Sequence, residues 1–224
     1  MRLAEDTKIE DIKVEVHKRP HFVVAIPTLG MVPIEFVVTF ARLQMPVNGV
    51  SGSCIVKGME IGQARNYIAH QVLKMNPLPP FIFFLGDDML PPWDGLIKLY
   101  EEMENNKWDV LTGLYYMKGE PPTPLTWRHD YIGRLMPGTH YQVGEVIPVD
   151  VTGLDFTLIR TSIFSKLKDP YFKTGPTLVG KDNTIVSHTE DVFFYDQCRE
   201  HKMKVGVHSG VRVAHLDVKS GMIF

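Results

Sequence analysis

Apolar residues fall in short blocks separated by polar, proline-rich or glycine-rich breaks. His21–Pro27 (HFVVAIP) is a compact apolar run stopped by proline, the pattern of a buried strand. Ile34, Val37, Val38 and Ala41 follow at i, i+3, i+4 and i+7, the stripe of an amphipathic helix. Asn48-Gly49 signals a turn, and Val50–Val56 predicts a second strand. Ile61, Ala64 and Ile68 repeat the helical spacing. Pro77, Pro79 and Pro80 then stop it, because proline lacks a backbone donor and restricts the residue before it. Phe81–Leu85 (FIFFL) is the clearest buried strand. It runs into Gly86-Asp87-Asp88, and Leu96, Tyr100 and Met103 mark one face of a third helix. Asp109–Tyr116 predicts another strand. The order β-α-β-α-β-α-β is that of a parallel sheet covered by helices, an α/β fold.

The character changes after Tyr116. Lys118–Glu145 is rich in proline, glycine and aromatic residues, as in a lid or binding loop. Val149–Arg160 reads as strand, Ser162–Leu167 as a short helix and Asp169–Val186 as a second irregular stretch. Ser187-His188-Thr189-Glu190 matches a capping box that opens a helix to about His201. Lys204–Ala214 predicts a strand or hairpin, and His215 follows it.

Composition narrows the class. The chain has 224 residues, 44% of them hydrophobic and 22% charged, which is ordinary for a globular domain. A net charge of −2 provides no basic field for a nucleic-acid backbone. Cys54 and Cys198 lie far apart without metal-ligand spacing; a disulfide stays open, and two reduced, buried thiols are the expectation. No apolar run reaches the ~18 residues of a membrane span. The charged segment 1–20 lacks the apolar stretch of a signal peptide, so the expected location is cytoplasmic.

The acid pair Asp87-Asp88 ends the most apolar strand, where open α/β sheets bind ligands. Adjacent carboxylates repel unless a cation or proton intervenes, and their oxygens suit Mg2+ or Mn2+. A solvated loop or helix cap with Asp94 is the alternative. Glu190-Asp191 either takes a proton from a hydroxyl or is a plain acidic first turn. His215 is a ligand or a structural histidine. Arg65, early in a helix, either reaches a pyrophosphate or is an exposed helical arginine. Tyr115, Tyr116, Trp127 and Tyr131 either stack on a sugar face or pack.

Taken in order, VVAIPTLG (23–30), IGQARNYIAH (61–70), FIFFLGDDMLPPWDGL (81–96), VLTGLYY (110–116), VDVTGLDFTLIR (149–160), TEDVFF (189–194) and VRVAHLD (211–217) resemble the GT-A-fold glycosyltransferases. The likeness is to the inverting, family-two-like group with its small phage and bacterial members, over about 21–217. It implies a Rossmann-like, mixed, mostly parallel sheet flanked by helices. It also implies one domain, with a nucleotide-sugar-binding half (about 21–117) and an acceptor-binding half (about 118–217). By position, Pro27 and Thr28 border the nucleobase, Arg65 approaches the nucleotide, and Asp87 faces a ribose or sugar hydroxyl. Asp88 and His215 ligate Mn2+ or Mg2+, Gly153 and Asp155 line the donor sugar and acceptor, and Asp191 is the general base. The implied donor is a UDP- or GDP-sugar, and the acceptor is not readable. Gly86 departs from the family pattern, which begins its acidic motif with aspartate, and Asp87 or Asp155 is left to supply that contact.

A nucleotidyltransferase or other metal-dependent phosphoryl-transfer enzyme is the rival, although neither GxGxxG nor GxxxxGK[ST] occurs. A metal nuclease lacks its basic field. A catalytically decayed nucleotide-sugar-binding protein is the non-enzymatic alternative.

Overall fold

The computed structural model describes residues 21–46, 50–129, 135–137, 141–176, 178–179, 185–186 and 188–224. The N-terminal segment 1–20, the Asn48-Gly49 turn, Tyr131 and Ser187 lie outside the described residues.

The front half follows the predicted alternation: β1 (His21–Thr28), α1 (Ile34–Arg42), β2 (Val50–Lys57), α2 (Ile61–Leu73), β3 (Phe81–Leu85), a two-residue β4 (Met89–Leu90), α3 (Gly95–Asn106) and β5 (Val110–Leu114). The back half continues with β6 (Trp127–His129), β7 (Leu135–Pro137), β8 (Val146–Pro148), β9 (Phe156–Arg160) and a 3-10 turn at Thr161–Ser165. It ends with β10 (Leu178–Val179), β11 (Ile185–Val186), α4 (Glu190–Glu200), β12 (Val205–Arg212) and β13 (Ala214–His215).

Seven strands form one sheet in the order β2-β1-β3-β9-β5-β12-β8. β2, β1, β3, β5 and β12 run the same way, whereas β9 and β8 run against them. Alternation along β1 and β3 divides the core. Phe22, Val24, Phe81, Phe83 and Leu85 pack with Leu96, Leu99 and Met103 of α3. Val23, Ala25, Ile82 and Phe84 pack on the other face with Ala64 and Ile68 of α2 and Phe194 of α4. Successive strand residues point to opposite faces, so a central strand covered twice must be apolar throughout.

Several expectations are corrected. On α1 the stripe Ile34, Val37, Val38 and Ala41 faces outward, with Ile34 68% exposed. The face that packs is Phe36 with Phe40, stacked at 5.7 Å. Two apolar stripes share this helix, and the larger rings take the core. Val149–Arg160 is not one strand: β8 precedes it and β9 starts only at Phe156; between them Val149 still bonds Val205, Val151 bridges to Trp127, and Gly153 and Asp155 pack on Tyr115. The helix expected at Ser162–Leu167 is the 3-10 turn, and two-strand ladders β6/β7 and β10/β11 lie within the stretches read as irregular. α4 opens at Glu190 with Thr189 in the N-cap position, and the Thr189 side chain does not cap it. Both cysteines are free; Cys198 is buried but Cys54 is only half-buried.

Candidate functional site

The acid pair occupies the turn after β3, at the carboxyl end of the sheet. Its partner arrives through a ladder of only two residue pairs. β13 pairs antiparallel with β4, His215 opposite Met89, and this sets the His215 ring beside Asp88 although 127 positions separate them. His215 Nε2 lies 3.3 Å from Asp88 Oδ2, and Nδ1 lies 2.9 Å from the Tyr116 carbonyl oxygen. A carbonyl only accepts, so Nδ1 carries the proton and Nε2 is the atom turned to the carboxylate. Lys118 donates to the same Oδ2 at 2.5 Å. Burial alone would raise the Asp88 carboxyl, but hydrogen bonds from His215 and Lys118 outweigh it and hold its pKa below the usual value. Burial pushes the His215 pKa down; the Asp88 and Tyr116 contacts reverse that and leave it raised.

Asp87 turns the other way. Thr28, the last residue of β1, donates its hydroxyl to Asp87 Oδ2 at 2.6 Å and accepts the Gly30 N–H at 2.9 Å. Burial raises the Asp87 pKa, Thr28 opposes it, and the charges of Asp88 and Asp155 add to the rise.

A third group is knotted around Asp155, the residue before β9. Arg65 donates to Asp155 Oδ1 at 2.6 Å, and its Nε lies 3.5 Å from Glu190. The guanidinium is 2% exposed and sits 5.3 Å from the centre of the Phe84 ring. It is not the exposed arginine of the sequence alternatives: it is buried, with two carboxylates beside its guanidinium. Burial raises the Glu190 carboxyl, against the pull of Arg65. Burial likewise raises Asp191, against hydrogen bonds from the Thr189 hydroxyl and the Val192 N–H to its Oδ1. The helix start thus gives Asp191 a donor, yet desolvation outweighs it. Asp155 links the groups electrostatically, since its charge acts on Asp87, Glu190 and Asp191 alike.

Tyr115 fills the space between. Its ring meets His215 edge-on at 5.7 Å, its hydroxyl accepts the Asp155 N–H at 3.0 Å, and a side chain at Gly153 would collide with that hydroxyl. Being 1% exposed, Tyr115 is a support under the site and has no face for a sugar. Tyr116 is half-buried with its hydroxyl 2.9 Å from Tyr141, and Trp127 is half-buried. Lys118 was not singled out in the sequence. The available signal was its place just past β5, whose end lies at the same sheet edge as Asp88.

Among the described residues no three His, Cys, Asp or Glu side chains are grouped to hold a metal ion. Asp88 and His215 offer two ligands. Mg2+ or Mn2+ bound with substrate phosphates and waters requires no more, and a histidine whose Nδ1 bonds a carbonyl presents Nε2 for ligation. The donor set fits such an ion.

Comparison with protein families and with curated proteins finds no match. The solved structures that resemble the chain include these two. The crystal structure of A197 from STIV has a TM-score of 0.61 at 20% identity, covering 91% of this chain and 92% of that one. The crystal structure of GalNAc-T7 with UDP, GalNAc and Mn2+ has a TM-score of 0.59 at 11% identity, covering 90% of this chain and 44% of that one. The present chain therefore spans under half the length of the GalNAc-T7 chain. Likeness at such identity speaks for the fold, and the fold, a mixed and mostly parallel seven-stranded sheet flanked by helices, is GT-A.

Proposed function

We propose that this chain is a metal-dependent glycosyltransferase that moves a sugar from a UDP- or GDP-sugar to an acceptor hydroxyl with inversion. The observation that carries the reading is the pairing of Asp88 with a His215 whose Nδ1 is tied to the Tyr116 carbonyl. Such second contacts orient a histidine toward a ligand instead of leaving it free to rotate. The GT-A fold supports the same reading, as does the presence of UDP, GalNAc and Mn2+ in one structure of that fold.

Asp88 and His215 would hold Mn2+ or Mg2+, which supplies positive charge to a departing nucleoside diphosphate. Pro27 and Thr28 border the nucleotide at the end of β1. Asp87, oriented by Thr28, and Asp155, oriented by Arg65, accept hydrogen bonds from donor hydroxyls beside Gly153. Arg65 serves the donor indirectly, by fixing Asp155. Asp191 accepts the proton of the acceptor hydroxyl as it attacks the anomeric carbon. Burial favours its protonated product state, which suits a base near neutral pH better than a solvated aspartate would.

A thermal-shift screen of nucleotide sugars, with and without Mn2+, tests this. A true donor at 100 times its Kd adds roughly 2.7 kcal/mol to stability. A shift that needs both Mn2+ and the nucleotide sugar, together with slow metal-dependent hydrolysis of the donor, is the expected result. Binding without hydrolysis of any donor would point to a non-catalytic protein.

A further inference from the structure

Lys118 presents the one ammonium among the described contacts of Asp88. Its Nζ lies 2.5 Å from Asp88 Oδ2, the oxygen that His215 Nε2 approaches at 3.3 Å. The Lys118 side chain is 32% exposed, so the group is neither buried for good nor free in solvent. Its root is held firmly. The Met117 N–H donates to the Thr123 carbonyl at 2.8 Å, Tyr116 bridges to Pro124, and the Tyr116 carbonyl takes the His215 proton. The four-carbon stem beyond that root retains its rotational freedom. An ammonium thus sits where a divalent cation would have to approach Asp88, and two cations on one oxygen repel.

We propose that Lys118 is a resident counter-cation of the metal site. It neutralises Asp88 in the metal-free protein and is displaced when a divalent cation binds. One carboxylate facing both a divalent cation and a lysine carries excess positive charge, and an anionic diphosphate removes it. Metal therefore binds weakly alone and tightly together with a nucleoside diphosphate, which gives the displaced ammonium a new partner. This inference rests on the reading of Asp88 and His215 as ligands.

Mn2+ titrations followed by the EPR signal of the free ion test it on the full chain, with and without UDP. Lys118→Met is expected to bind Mn2+ without UDP roughly five- to tenfold more tightly than wild type. Lys118→Arg, which keeps the charge, should stay within about twofold. UDP should tighten Mn2+ binding less in Lys118→Met than in wild type. Lys118→Gln replaces the methionine variant if the latter fails to fold, with the same expectation. A charge-removing variant that binds Mn2+ no more tightly than wild type overturns the inference. Asp88→Asn separates the two layers. If it abolishes Mn2+ binding while the Lys118 variants change nothing, the counter-cation falls and the metal site stands. If Asp88→Asn binds Mn2+ like wild type, both fall.

Discussion

Asp155 lies against Gly86: the Gly86 N–H donates to the Asp155 carbonyl at 2.8 Å, and a Cβ on Gly86 would come within 2.9 Å of Asp155 Cβ. The register of β3 and β9, which pairs Leu85 with Phe156, puts these two residues opposite each other. A carboxylate from the residue just before β9 thus stands over the start of the acidic turn. Glycine is favoured there because the two segments approach too closely for a side chain.

Gly86→Ala should therefore displace Asp155 and loosen its pair with Arg65. Overpacking of this kind costs about 1–3 kcal/mol, read as a lowered melting temperature in calorimetry. Gly119→Ala, at a position with nothing within 4 Å, is the matched control and should be near neutral. Equal melting temperatures for the two variants would mean that Asp155 moves aside without cost.

Arg65→Met should be among the most destabilising single changes in the chain. It leaves Asp155 and Glu190 beside a buried apolar side chain without their counter-charge. Breaking a buried pair by removing one partner costs about 3–5 kcal/mol. Urea denaturation measures it, and Arg65→Lys should recover only part of the loss because a point charge cannot serve two carboxylates as a guanidinium does.

Asp191→Asn should lower turnover by roughly 10²–10⁴-fold while leaving donor affinity near wild type. Its melting temperature at pH 7 should not fall. Burial raises the folded-state pKa of Asp191 above the unfolded value, so the ionised form costs stability at any pH above the folded pKa. The amide removes that cost, and its oxygen can still accept from Thr189 and Val192. Wild-type turnover with the true acceptor would remove Asp191 from the base role.

Mn2+ binding should depend on pH through His215, whose pKa is raised above its ordinary value near ~6.5. Ligation needs an unprotonated Nε2, so affinity should climb with pH by about tenfold per unit below the raised pKa and level off above it. His215→Ala should weaken binding and flatten that slope. Without metal the sign differs. The Asp88 contribution is present above its ordinary value of ~3.9 and is lost as pH falls through the lowered one. The His215 contribution is complete below ~6.5 and is lost as pH rises through the raised value. Metal-free stability from this pair should peak between those limits in a pH series of thermal melts.

Phe81–Leu85 was legible in the sequence because five consecutive apolar residues before two acids describe a strand covered on both faces and ending at a wet edge. The helices of the front half were legible for a similar reason, since their spacing repeats locally. On α1 the element was legible but not its inward face, because both stripes are apolar and only the packed neighbours distinguish them. Asp88 and His215 stood out by position, at the ends of two separate strands. That they meet is what the family resemblance implies; the β4/β13 ladder that joins them leaves no local pattern. Arg65 was harder still, since an early-helix arginine looks exposed until Asp155 and Glu190 are brought around it.

By itself the sequence determined where the strands and helices of the front half form and which strand end carries acid, because those depend on side chains within a few residues of one another. The tertiary structure alone decided that Lys118 rests on Asp88, that Asp155 takes the space above Gly86, and that Arg65 is enclosed by carboxylates. These contacts join residues 30 to 125 positions apart (from Lys118–Asp88 to Arg65–Glu190). The order of strands in the sheet sets them, and burial then fixes their charge, neither of which leaves a local pattern in the chain.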